Sequence, residues 1–251
     1  MIYFVGAGPG APDLITLRGK KLLETADQII YAGSLVNPAL LDWAKPECLL
    51  YDSASMTLEA VTGCFIEGEK HKRTTVRLHT GDPGIYGAIR EQMDTLEELG
   101  FNYEVIPGVS SFCAAAASLK TEYTLPGVSQ TLIITRVAGR TGIPAGEDLA
   151  SLAAHRASMA IFLSAGLLED LRRQLLEGGC PRETPAAIVY KASWPEEQII
   201  RGTVEDLPAM GTKAGITKTA LILVGGFLGG DYERSKLYDP QFTHGFRKGE
   251  A

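Results

Sequence analysis

Three times in the first 112 residues an apolar run stops at a cluster of glycine and proline and gives way to helical periodicity. "VGAGPGAPDLITLRG" (5–19) follows Ile2-Tyr3-Phe4. "HTGDPGIYG" (79–87) follows the β-branched run from Thr74. "VIPGVSSF" (105–112) follows Tyr103. A strand, a tight turn and a helix, repeated in this order, predict β-α units and a mainly parallel sheet with helices on both faces. In such sheets ligands sit at the carboxyl ends of the strands, where these three turns fall.

The rest of the chain keeps the rhythm. Strands are predicted at Ile2–Val5 and Gln28–Tyr31, in 48–54 running into a loop, in 74–84 ending in a turn and in 103–111 ending at Pro107-Gly108, and helices at Arg18–Ala26, 37–44, 56–71, 88–100 and 112–119. Asn37 and Pro38 read as a helix N-cap and first helical residue, and Gly100 as a helix end. The polar stretch "KTEYTLPGVSQ" (120–130) reads as a linker. Beyond it, strands are predicted at 131–136, 159–166, 185–193, 197–204 and 219–226, with helices near 147–156 and 167–179. The short turn "WPE" (194–196) predicts an antiparallel hairpin, so the second half reads as a mixed sheet. The expected division is 1–120 and 121–251, two α/β domains.

Composition excludes several functions. At 45% hydrophobic and 22% charged residues the chain buries a core and is not disordered. A net charge of −6 argues against nucleic acid as a partner. Cys48, Cys64, Cys113 and Cys180 form no CxxC pair and read as free thiols in a reducing compartment. The four histidines show no metal-ligand spacing, so no metal site is expected. No membrane span and no signal peptide are read, and the cytoplasm is the expected location.

The first turn does not fit a phosphate cradle. Pro9 and Pro12 remove two backbone donors, and the second strand ends in "YAGSLV" without the acidic residue that would hold a ribose. Gly19-Lys20 is followed by Lys21, and position 14 is leucine, which rules out a Walker loop. What remains is a rigid Gly-Pro-Gly bend that lays backbone against a flat ligand. Asp82 reads either as a cap for the helix near Ala88 or as a partner for a ligand's ammonium or hydroxyl group. Ser110 and Ser111 read either as helix caps or as ligand contacts.

"VGAGPGAPDLITLRG" and "VRLHTGDPGIYGAIREQMDTLEELGFNYEVIPG" resemble the two signature regions of the S-adenosylmethionine-dependent tetrapyrrole methyltransferases. Within that family, "IIYAGSLVNP", "YDSASMTLEA" and "ASWPEEQIIRGT" are most similar to the branch that methylates C11 of precorrin-4 or cobalt-precorrin-4 in corrin synthesis. The resemblance implies two α/β domains with S-adenosyl-L-methionine in the cleft between them, a tetrapyrrole substrate and a homodimer. It implies cofactor contacts at Pro9 in the first loop, at Thr80, Gly81, Asp82, Ile85 and neighbouring Tyr86 in the second, and at Ser110 and Ser111 in the third. Leu163, Ala192 and Ala220 complete the set from the second half. The product would be S-adenosyl-L-homocysteine.

No catalytic base stands out, and Asp82 and Tyr86 are candidates by location alone. Arg90, Arg136 and Arg140 are candidates to pair with substrate carboxylates, or else solvated surface charges. Leu35 and Val36 would cover a macrocycle face or belong to the core. The alternatives are methylation at another ring position, a nicotinamide-dependent oxidoreductase, disfavoured by Pro9, and a plain binding module.

Overall fold

The computed structural model describes residues 1–139 and 141–249. It divides into two compact units. One comprises Met1–Ala115 with Lys191–Glu197, and the other Ala116–Tyr190 with Gln198–Ala251.

In the first unit, strands β1 (Ile2–Gly6), β2 (Gln28–Tyr31), β3 (Leu49–Asp52), β4 (Thr75–His79) and β5 (Tyr103–Ile106) form one sheet in the order β3-β2-β4-β1-β5. Every pairing is parallel, as the β-α rhythm predicts. Helices α1 (Leu17–Thr25), α2 (Leu58–Lys70), α3 (Arg90–Glu98) and α4 (Ser111–Leu119) alternate with the strands. Both sheet faces are covered, as an all-parallel sheet requires. On one face Val5, Ile29, Val76, Leu78 and Ile106 pack with Leu23 of α1. On the other, Ile2, Phe4 and Ile30 pack with Val61 and Phe65 of α2 and Leu96 of α3. The chain leaving β1 therefore turns to one face and the chain leaving β4 to the other. Divergence of that kind opens a crevice at the carboxyl edge.

In the second unit, β6 (Leu132–Arg136), β7 (Ser158–Phe162), β8 (Pro185–Tyr190), β9 (Gln198–Thr203) and β10 (Ala220–Val224) form a sheet in the order β6-β7-β10-β8-β9. Only β6 and β7 are parallel, and β8 and β9 make the expected antiparallel hairpin. Helices α5 (Leu149–Ala153), α6 (Leu168–Glu177) and α7 (Leu207–Ala214) bury Leu149, Leu171, Leu175, Leu207 and Met210 against Ile161, Ile188 and Ile222.

Three local expectations change. Residues 37–44 form a 3₁₀ helix, Pro38–Trp43, and not an α-helix. Asn37 does cap it, accepting from the Ala39 N–H at 3.0 Å, but Ala44 is already extended, at φ −67° and ψ 144°, and the chain leaves the helix before an α-turn propagates. Helix α7 is absent from the sequence reading, and it contains both Pro208 and Gly211. Proline is harmless in the first turn. Gly211 leaves the space that the Leu168 side chain of α6 occupies. The stretch 120–130 packs as part of the second unit: the Tyr123 ring lies 4.9 Å from that of Phe227, and Ser158 Oγ donates to the Tyr123 carbonyl at 2.6 Å.

Candidate active site

The three glycine turns follow β1, β4 and β5, which the sheet order makes neighbours. Sequence order alone would have set β2 beside β1. The turns then interlock through their backbones. Gly8 and Gly81 form an antiparallel bridge, with Gly81 N–H donating to the Gly8 carbonyl at 2.8 Å and the reverse bond at 3.3 Å. A β-carbon on Gly6 would stand 2.5 Å from Gly108 Cα, and one on Gly108 would strike the Gly81 carbonyl oxygen. Glycine is required at these positions because three backbones cross there.

Asp82 closes the assembly. Its Oδ1 accepts from Gly84 N–H at 2.8 Å within the second turn, and its Oδ2 accepts from Gly108 N–H at 2.9 Å in the third. Helix α3 begins only at Arg90, and its N-terminus receives no side-chain cap. Asp82 is thus no helix cap. Each of its carboxylate oxygens is used on backbone, so it shapes the loops.

The second turn carries strain. Tyr86 has φ +54° and Ala88 φ +48°, left-handed values that non-glycine residues adopt rarely. A buried relay fixes that geometry from below. Gln92 Nε2 donates to the Ala88 carbonyl at 2.9 Å, and Gln92 Oε1 accepts from Arg77 Nε at 3.1 Å. Arg77 also donates to Ser53 Oγ at 3.0 Å and to the Ile30 carbonyl at 3.3 Å. Burial lowers its guanidinium pKa to about 10, so it still stays charged at neutral pH. Two residues on, His79 ends β4, buried against the Phe4 ring with centroids 6.0 Å apart. Desolvation first, and the neighbouring Arg77 charge second, push its pKa down to about 3. It is therefore a neutral imidazole.

The expected contacts fall into two groups. In the first unit, Pro9, Gly81 and Ser110 are buried, Thr80, Asp82, Ile85 and Ser111 are half-buried, and Tyr86 is exposed. All stand on the interlocked turns. Ala192 joins them in the same unit, buried in the segment Lys191–Glu197. In the second unit, Leu163 follows β7 and Ala220 opens β10, which runs antiparallel to β7. Tyr190, paired with Ala220, ends β8. These positions therefore share one edge of the second sheet. Leu163 is 68% exposed with φ +53°, a strained apolar side chain held out to solvent.

The arginines do other work. Arg90 pairs with Asp94 at 2.6 Å on the exposed face of α3. Arg136 donates to the carbonyls of Val137, Thr141 and Gly142 and so ties a loop. Arg140 lies outside the described residues. Val36 is core, whereas Leu35 is exposed. A groove of about 520 Å³ lined by Val128, Gln130, Ile133, Leu152 and His155 lies at the amino ends of β6 and β7. That is the opposite edge of the second sheet from Leu163.

Sequence reasoning missed Ser193, read as the end of a strand, and Trp194, read as a turn residue. Trp194 Nε1–H donates to the Pro9 carbonyl at 3.0 Å, and Ser193 Oγ accepts from Ala11 N–H at 3.0 Å. The available signal was a tryptophan inside a tight turn, where a large apolar ring needs a surface to cover. It also missed the second role of Asn37, whose Nδ2 donates to the Gly10 carbonyl at 2.8 Å.

Comparison with known proteins agrees with this architecture. The family model of the tetrapyrrole (corrin/porphyrin) methylases matches residues 1–208. A cobalt-precorrin-4 C(11)-methyltransferase of Methanocaldococcus jannaschii is 53% identical over 248 residues, covering 98% of this chain and 96% of that protein. A solved cobalt precorrin-4 methyltransferase, a cobalamin biosynthetic enzyme, matches with a TM-score of 0.89 at 44% identity, covering 91% of this chain and 96% of that one. The uroporphyrin-III C-methyl transferase of Thermus thermophilus, solved with S-adenyl homocysteine, matches with a TM-score of 0.76 at 28% identity, covering 90% of this chain and 92% of that one. The family model covers most of the chain and the relatives match nearly all of it, so the chain belongs to the tetrapyrrole methylases.

Proposed function

We propose that the chain transfers a methyl group from S-adenosyl-L-methionine to C11 of precorrin-4 or its cobalt form, as a cytoplasmic homodimer. One observation carries the choice of cofactor. The turns 6–15, 79–88 and 105–112 contain aspartates but no lysine or arginine. Their backbones are rigidly joined through Gly6, Gly8, Gly81 and Gly108. Such walls fit a nucleoside carrying a sulfonium cation, which hydrogen-bonds to main chain and small hydroxyls. They offer a diphosphate no cationic side chain, which is the partner that phosphate oxygens bind most strongly.

Pro9, Thr80, Gly81, Ile85, Tyr86, Ser110, Ser111 and Ala192 are the contacts this reading assigns, and Asp82 acts with them by fixing the second turn against the third. When bound, the sulfonium supplies an already activated methyl electrophile. The electron-rich pyrrole carbon of the substrate is the nucleophile, so the chain needs no covalent one. Its task is to hold the two in line, and orientation of this kind removes roughly 7–11 kcal/mol of a bimolecular barrier. The strained Tyr86 and Ala88 support such a role, since fixed strain is one way of preorganising a wall.

Calorimetry tests the cofactor: S-adenosylhomocysteine should bind, and NAD should not. Micromolar binding of NAD without binding of S-adenosylhomocysteine would make the site a dinucleotide pocket. Incubating labelled S-adenosylmethionine with cobalt-precorrin-4 and with the metal-free compound, then locating the new methyl by NMR, tests the position. A methyl at any ring carbon other than C11 would reassign the substrate.

A further inference from the structure

The segment Lys191–Glu197 connects β8 to β9 but packs with the first unit. Three consecutive residues of the first glycine turn are engaged by it. The Pro9 carbonyl accepts the indole N–H of Trp194, and Ala11 N–H donates to Ser193 Oγ. Between them, a β-carbon on Gly10 would fall inside the Trp194 ring, so the ring lies flush on bare backbone. From the other side Asn37 holds the Gly10 carbonyl. No regular secondary structure fixes these residues, so side chains from two distant segments do it.

The segment is itself held in an uncommon conformation. Lys191 has φ +46° and Ser193 φ +68°, and buried Ala192 lies between them. Ser193 N–H donates to Glu197 at 2.7 Å, Trp194 N–H donates to the Lys191 carbonyl at 3.0 Å, and the Lys191 ammonium stands 5.1 Å from the centroid of the Trp194 ring. Two left-handed non-glycine residues within three positions persist only where the surroundings over-determine them. Here the surroundings are the turn that the indole clasps.

We infer that Trp194 is a positioning residue for methyl transfer: its ring and N–H set the Pro9–Gly10 wall against which the cofactor lies. The inference rests on the reading that Pro9 and Ala192 border S-adenosylmethionine. Trp194 does not touch the reacting carbon, so its loss acts on cofactor affinity more than on chemistry at saturation.

Only two tryptophans occur, Trp43 and Trp194, so Trp43→Phe leaves Trp194 as the sole indole emitter. Titration of that variant with S-adenosylhomocysteine should change the emission, saturating at the concentration that calorimetry gives for binding. Trp194→Phe keeps a ring over Gly10 and deletes the N–H. Its KM for S-adenosylmethionine should rise about three- to tenfold, the loss expected for one hydrogen bond, with kcat within about twofold of the parent. Ser193→Ala, which removes the neighbouring bond, should raise KM in the same direction. Unchanged KM in both variants overturns the role of Trp194. The underlying reading is tested separately by hydrogen exchange: a peptide covering residues 6–16 should gain protection when S-adenosylhomocysteine binds. Protection with unchanged KM sinks only the positioning role, whereas binding without protection sinks the site itself.

Discussion

His79 shows how far one residue's surroundings depart from its type. It is the last residue of β4, adjacent to the turn that carries Thr80 and Asp82, yet it faces the core and not the turn. Its Nε2 has no hydrogen-bond partner. Charging it would place a cation beside buried Arg77, whose acceptors are all neutral. The pKa falls from 6.5 to about 3 on folding. Between those values the unfolded chain binds a proton that the folded chain refuses, so this residue's contribution is full above about 6.5 and is lost progressively as pH falls. Denaturant unfolding at a series of pH values should show His79→Gln with a shallower loss of stability on acidification, by up to about 1.4 kcal/mol per pH unit in that window. Equal slopes in parent and variant would mean that the imidazole is solvated. Asp82 departs from its type in another way. A carboxylate in a glycine turn invites a ligand, and here each of its oxygens also accepts a backbone N–H, from Gly84 and from Gly108.

At the level of elements, strands and helices were legible wherever periodicity was strong. The amphipathic run 88–100 contains α3, and "LLEDLRRQLLEGG" (167–179) contains α6. Strand ends were less legible than strand centres, because the apolar pattern continues into turns that leave the ladder: within the run 74–84, read as a strand ending in a turn, the strand is Thr75–His79. The glycine turns were legible as turns, but the reason for each glycine was not. Gly108 had no assigned role, and the structure shows it wedged between Gly6 and the Gly81 carbonyl. Gly108→Ala should therefore separate the turns after β1, β4 and β5. It should lower stability by about 1–3 kcal/mol, as overpacking does, and weaken S-adenosylhomocysteine binding at least tenfold. Ala in place of Gly100 is a contrasting control: a β-carbon there meets nothing within 4 Å, although φ is +70°, so it should cost stability without changing affinity.

For the whole molecule, two units of different sheet chemistry arise from one chain. Among the described residues no helix is long and apolar enough to cross a membrane. Leu49 and Leu50 are exposed on β3, an edge strand of the first sheet, and Val105 on β5, the other edge. Exposed apolar edges of this kind are commonly covered by another chain. The chain mass is 26.9 kDa, and sedimentation equilibrium should return twice that for the proposed homodimer. A single-chain mass at micromolar concentration would remove the dimer from the proposal.

Alternation of apolar runs with glycine turns and amphipathic stretches was enough to determine the β-α class, the parallel first sheet, the hairpin in the second and the place of the glycine turns. Those properties are local: they follow from side-chain period and from which backbone donors proline removes. Strand order is not local. That β1, β4 and β5 stand side by side, that Gly6, Gly81 and Gly108 touch, and that Trp194 lies on Gly10 are contacts between residues up to about 185 positions apart. No window along the chain contains both partners of such a contact. Packing both faces of the sheet sets the strand order, and the glycines and the tryptophan acquire their roles only once the backbones they touch have been brought together.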